Sequence, residues 1–318
     1  MKKNKNKSFV LLIALVLWSS FNYAQTEIKL TADDAGIGHE FGYDVAVSGN
    51  ELIVSAPGNP KTYIYENDGG WSEVFSYVRD DSDCNTMGYG SPICHNSGTN
   101  SKKVDIKNDL AITGGGGFTR YNELTYQFLF SSEHAVMFQK TNGIWEISFE
   151  NIGSIQPADP LSGGPDLNVS SVAIYTDHGI WGCENLHSGE GGVWHSTAPS
   201  HIYTHGYGNE NLGKSIAASD TRFIAGGNNN ARRSGSSGGL GSGTWEHIPA
   251  GSVEFGYSVA VQDDSIFVLS DPYSNKVYLD IYIWGELYSR TYEIANLETG
   301  YSGARFGEDI AISNNTIV

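Results

Sequence analysis

Basic side chains, cysteine, methionine and proline are all scarce in this 318-residue chain. Nineteen Lys and Arg stand against 36 Asp and Glu, a formal charge of −17. That imbalance argues against nucleic acid or an anionic membrane surface as the main partner. The three cysteines contain no C-x-x-C pair, which argues against a zinc site. No apolar stretch after the N-terminus is long enough to cross a bilayer, and no segment there has the periodicity of an amphipathic helix. What is abundant is glycine, at 39 residues, but without the strict three-residue period of collagen. Aromatic residues make up 12%, too many for a disordered chain. Short apolar runs joined by polar, glycine-rich connections point to an all-β protein.

The N-terminus reads as a targeting segment. Lys2, Lys3, Lys5 and Lys7 precede an apolar run from Phe9 to Trp18, and a more polar stretch ends at Ala24. Residues 1–24 are therefore expected to be a signal peptide, leaving Gln25 first and a mature charge near −21. The protein is expected to be secreted or held at the cell surface. Export permits a disulfide, and Cys84 with Cys94, ten apart in one polar insertion, is the favoured pair; Cys183 reads as a small core residue.

Internal self-similarity dominates the rest. Phe41-Gly42-Tyr43-Asp44-Val45-Ala46-Val47 recurs as Phe255-Gly256-Tyr257-Ser258-Val259-Ala260-Val261. It recurs again as Phe306-Gly307-Glu308-Asp309-Ile310-Ala311-Ile312 and Leu212-Gly213-Lys214-Ser215-Ile216-Ala217-Ala218. Val104-Asp105-Ile106 and Val172-Ala173-Ile174 are weaker copies. Anchored on Gly42, the copies begin at 42, 101, 169, 213, 256 and 307, and the shortest spacings, 43 and 44 residues, define the bare unit. Each unit has an alternating strand, a two-residue turn such as Gly49-Asn50 or Asp263-Asp264, and a second strand such as Leu52-Ile53-Val54. An aromatic third strand and a Gly-x-Trp turn into a fourth follow. Four antiparallel strands in about 43 residues is the size of a propeller blade.

These residues resemble the FG-GAP repeat, the blade of the integrin α-subunit propeller. Phe41-Gly42 with Ser55-Ala56-Pro57 matches its name-giving pattern, with Ser in place of the second Gly. The resemblance implies an incomplete β-propeller over 25–318, with blades at 41–100, 101–168, 169–211, 212–254 and 255–305 and a partial one at 306–318. It also implies a ring-closing strand at 26–33 and seven blades in a full protein. The chain is accordingly expected to be a fragment, with a C-terminal anchoring or sorting domain conceivable beyond it. The family's calcium loop is missing, because two-residue turns occupy its place, so no cofactor is implied.

Blade topology puts the turns between strands 2 and 3, and those between blades, on one face. Nearly every insertion falls there: 79–100, 114–134, 154–168, 184–192 and 226–243. Long loops on a rigid scaffold are where binding usually resides. The candidate binding residues are Asp80, Asp81, Asp83, Arg120, Tyr121, Tyr126, His187, Arg232 and Arg233. The aspartates offer oxygens to Ca2+, or form a solvated acidic loop. Tyr121, Tyr126 and Phe128 stack on a sugar, or hold their loop to the rim. Arg232 and Arg233 bind an acidic group, or belong to a flexible linker. His201 and His205 have metal-ligand spacing for a helix, but their setting reads as strand and loop. Gly114 to Gly117 lack the sequel of a phosphate loop. No nucleophile, base and orienting group stand in recognisable spacing. The leading expectation is a binding or adhesion module for an extracellular protein or glycan. A propeller glycosidase or lyase is the alternative, with Asp80, Asp83, Glu123 and Glu190 as its carboxylates; a structural display domain is a third. Two carboxylates converging in a pocket, one with a raised pKa, would favour the enzyme.

Overall fold

The computed structural model describes residues 27–78, 93–96, 102–116, 118–121, 128–155, 169–184, 190–196, 204–205, 210–234, 245–248, 254–281, 290–295, 305–313 and 316–318. The chain divides into two units, and the second, Asp34–Val318, holds all the strands described. In the first unit, residues 27–33 form no strand. Among the described residues there is no helix.

The first sheet is β1 (Val45–Ser48), β2 (Glu51–Ala56), β3 (Lys61–Asn67) and β4 (Trp71–Val78). The second contains β5 (Ile93–Asn96), β6 (Lys103–Lys107), β7 (Leu110–Gly115), β8 (Phe118–Tyr121), β9 (Phe128–Thr141) and β10 (Ile144–Ile155). The third is β11 (Ser171–Tyr175), β12 (His178–Cys183), β13 (Gly192–His195) and β14 (Thr204–His205). The fourth is β15 (Ser215–Ala218), β16 (Phe223–Gly226), β17 (Ala231–Ser234) and β18 (Trp245–Ile248). The fifth is β19 (Val259–Gln262), β20 (Ile266–Asp271), β21 (Lys276–Ile281) and β22 (Arg290–Ala295), and β23 (Ile312–Ser313) pairs with β24 (Thr316–Ile317). Four sheets run in simple sequence order, every pair antiparallel.

The first strands of successive sheets are neighbours: β1 lies by β6, β6 by β11, β11 by β15, β15 by β19 and β19 by β23. One cavity is lined from all six inner segments. Sheets that meet at their first strands around one cavity form a β-propeller, and each sheet is a blade.

The repeat explains itself in backbone chemistry. Gly42, Gly213, Gly256 and Gly307 have φ of +86°, +92°, +90° and +82°, the left-handed region that side chains resist. That turn aims the glycine N–H back across the blade, where Gly42 donates to Ser55 O at 3.0 Å, Gly213 to Gly226 O at 3.0 Å and Gly256 to Ser270 O at 2.8 Å. The serine that replaces glycine adds a second bond, since Asp44 N donates to Ser55 Oγ and Ser258 N to Ser270 Oγ, both at 2.9 Å. The copies at 101 and 169 lack the glycine but keep the phase. Lys103 stands opposite Gly114 and Ser171 opposite Gly182, just as Ser215 stands opposite Gly226.

The core lies between blades. Val104 and Ile106 of the second blade bury against Ile53, Ile64 and Tyr77 of the first. Trp181, Trp194 and Cys183 of the third meet Ile112 and Met137 of the second. Hydrogen bonds clasp the same junctions near the axis. Ser171 Oγ donates to Gly213 O at 2.7 Å, Ser215 Oγ to Gly256 O at 3.0 Å, and Ser258 Oγ to Asp309 Oδ1 at 3.2 Å.

Candidate functional site

Two regions have the makings of a site: the loop-rich rim and the axial cavity. At the rim, the insertions of the second blade are not separate loops. β8 continues the lane of β7 along β9, with Thr119 opposite Ser131 and Arg120 opposite Phe130. β5 lies on the other side of β8, with Cys94 opposite Arg120 and Ile93 opposite Tyr121. β10 follows β9 as far as Ile155 opposite Ser131. Segments from 93–96, 118–121, 128–133 and 151–155 therefore form a four-lane extension of one blade. β9 has 14 residues, where the third strands β3 and β21 have 7 and 6. At 3.3 Å per residue the extra six residues carry it about 20 Å beyond the blade.

At the root of this extension, Tyr77 OH donates to Glu150 Oε1 at 2.8 Å, and His134 Nε2 lies 3.1 Å from the same oxygen. His134 is buried and stacks on Tyr77. This contact ties the fourth strand of the first blade to the point where the second blade lengthens.

The cavity on the axis has a volume of about 190 Å3. The second residue after each repeat anchor lines it: Asp44, Lys103, Ser171, Ser215, Ser258 and Asp309, with Lys214 beside them. Burial raises the pKa of the Asp44 carboxyl, Lys103 opposes that rise, and Asp309 adds to it. Asp44 Oδ2 accepts from Val104 N at 3.0 Å, across the first junction. One strand position further along, Asp105 accepts from Ile174 N at 2.8 Å and Ile106 N at 2.9 Å. Burial nevertheless pushes its pKa up to about 6. Lys214 Nζ lies 3.8 Å above the Tyr257 ring.

The residues singled out from sequence fall in three groups. Arg120 and Tyr121 lie on β8, within the extension, and Cys94 on β5. Asp80, Asp81, Asp83, Cys84, Tyr126, His187, Glu123 and His201 lie outside the described residues, and with them the Cys84–Cys94 pairing. Arg232 and Arg233 are a correction. They sit on β17 rather than in a loop, Arg232 Nη2 donating to Glu210 Oε2 at 3.1 Å. Arg233 pairs with the fully buried Asp280 of the next blade and lies over Phe267. A buried guanidinium needs a carboxylate, and here the chain supplies it, so neither arginine is presented to a ligand. His205 is on strand β14, and His195 is buried, which lowers its pKa with help from His178. Glu190 offers its backbone carbonyl to Leu212 N at 3.1 Å. Cys183 is fully buried.

Sequence reasoning missed the axial set of Asp44, Lys103, Lys214 and Asp309. The signal was available, because the four directly follow the aligned anchors at a fixed offset. Isolated in the sequence, they form no recognisable catalytic spacing.

The class this architecture defines is the β-propeller. Within it, residues 25–70 match the family profile of the FG-GAP repeat. No curated protein matches the chain. Among solved structures it is similar to the periplasmic gluconolactonase PpgL of Pseudomonas aeruginosa, with 8% identity over 79% of this chain and 71% of that one, TM-score 0.47. It is also similar to YCF48 bound to a D1 peptide, with 12% identity over 83% and 69%, TM-score 0.41. A third is the PQQ-bound aldose sugar dehydrogenase of Streptomyces coelicolor, with 12% identity over 87% and 86%, TM-score 0.40.

Proposed function

We propose that this protein is an exported binding module, secreted or displayed at the cell surface, that recognises an extracellular protein or glycan across its loop-rich face. The observation that carries this reading is the extended second blade. Separate insertions converge there on one sheet about 20 Å long, with Arg120 and Tyr121 on its second lane. A rigid platform pre-organises contact residues at less entropic cost than free loops do. The full chain, screened against extracellular proteins and glycans, is expected to capture a ligand that R120A/Y121A binds at least tenfold more weakly at unchanged thermal stability. Equal affinity in that variant rejects the extension as the contact element. N-terminal sequencing of exported material is expected to begin at Gln25.

The axial cavity supports a second reading, a carbohydrate-active enzyme. Asp44 with its raised pKa and Asp309 both border it, the pairing of acid and carboxylate that glycoside cleavage uses. If that reading holds, D44N and D309N each lower turnover of an oligosaccharide panel by more than a hundredfold. No turnover by the unmodified chain rejects it.

A further inference from the structure

The inner strands of the blades have equivalent positions, and their burial is uniform with one exception. Val104, Val172, Ile216, Val259 and Ile310, each the first apolar residue of its inner segment, are 7%, 8%, 9%, 7% and 8% exposed. Val45, in the same position of the first blade, is 56% exposed. Val47 is 65% exposed, where its counterparts Ile106 and Ile174 are 4% and 1%. Tyr43, on the same strand entry, is 53% exposed.

The internal junctions show what covers this position elsewhere. The preceding blade presents a small residue on its first strand paired with an aliphatic one on its second. The pairs are Ala46 with Ile53, Ala173 with Ile180, Ala217 with Ile224 and Ala260 with Val268. All four aliphatic partners are 0% exposed. Between the first and second blades, Ile64 on the third strand and Phe75 and Tyr77 on the fourth complete the cover. A second copy offers a poor substitute. Its uncovered Ala311 and Val318 bond to each other backbone to backbone, but β23 and β24 make a sheet of two strands, without a third or fourth.

We propose that the exposed face of β1 is an inter-blade docking surface, and that its occupant is a complete four-stranded blade of this same repeat within the same polypeptide. The occupant carries a small first-strand residue opposite Ile or Val on its second strand, and lays that pair over Val45 and Val47. Every junction seen here is made within one chain, where a short connection gives the neighbouring blade a high effective concentration. The surface is continuous in kind with those junctions.

Thiol labelling of V45C tests the assignment. The site is read by peptide mapping in the 318-residue chain and in the protein isolated from the cells that export it, with native mass alongside. Rapid labelling is expected in the former, and labelling at least a hundredfold slower in the latter, at the mass of a single chain. Equal rates overturn the proposal. Protection that accompanies a two-copy mass also overturns it, in favour of self-association. V47K gives an independent readout: it should leave the urea midpoint of the 318-residue chain unchanged and lower that of the exported protein. A midpoint unchanged in both overturns the proposal as well.

Discussion

Asp105 stands where the other inner strands carry Ala46, Ala173, Ala217, Ala260 and Ala311. Its carboxylate takes two backbone N–H groups, one from the next blade. Those bonds favour the charged form, but burial outweighs them, and the pKa rises from 3.8 to about 6. The folded state therefore binds this proton more tightly than the unfolded chain does. The stabilisation is complete below about pH 4 and is lost as pH rises through 6. Two pKa units correspond to about 2–3 kcal/mol. The Asn variant should lack this slope, so D105N should gain on the parent in urea midpoint between pH 4 and 7. A parallel shift of the two proteins across that range would reject the assignment. Arg233 and Asp280 make a different case, an ion pair buried between the fourth and fifth blades. Removing one partner, as in R233M, should cost about 3–5 kcal/mol because the other charge stays buried. The double variant R233M/D280L should recover most of that loss in denaturant titration.

At the scale of the single blade, the anchor glycine decides whether the unit closes. Gly42 and Gly256 share the same positive φ, yet their surroundings differ. A Cβ on Gly42 would meet nothing within 4 Å, whereas on Gly256 it would lie 2.6 Å from Asn230 O. G42A should therefore cost about 1–2 kcal/mol from the backbone alone. G256A should cost clearly more, and thermal melts of the two side by side would expose the difference. The glycine, its spacing and the alternating strands were legible in the sequence because they are local. Even the copies at 101 and 169, which lack glycine, were in phase with the observed register. The extension of the second blade was not legible. It arises when β5, β8, β9 and β10 pair across gaps whose residues carry no hairpin signal of their own, and long-range register is invisible to a periodicity argument. Arg232 and Arg233 misled for a related reason. Glycine and serine follow them in the sequence, while their carboxylate partners, Glu210 and Asp280, lie 22 and 47 residues away. The axial residues were individually visible but had no reason to converge until the anchors were laid around one axis.

Across the whole molecule, stability resides in the seams between sheets. Trp181 is fully buried in the seam of the second and third blades, and W181A should cost about 3–5 kcal/mol by chemical denaturation. I144A, at a residue 70% exposed on an outer strand, should change little. Each blade touches only its neighbours, so the array behaves as a one-dimensional stack bent around an axis. In four of the sheets, strand order in space is strand order along the chain. A polypeptide wired this way never has to thread one segment through another. Whole units can be duplicated, lost or lengthened in the course of descent while the remaining hydrogen-bond ladders stay as they were, and the outsized second blade shows how far a single unit can grow under that freedom.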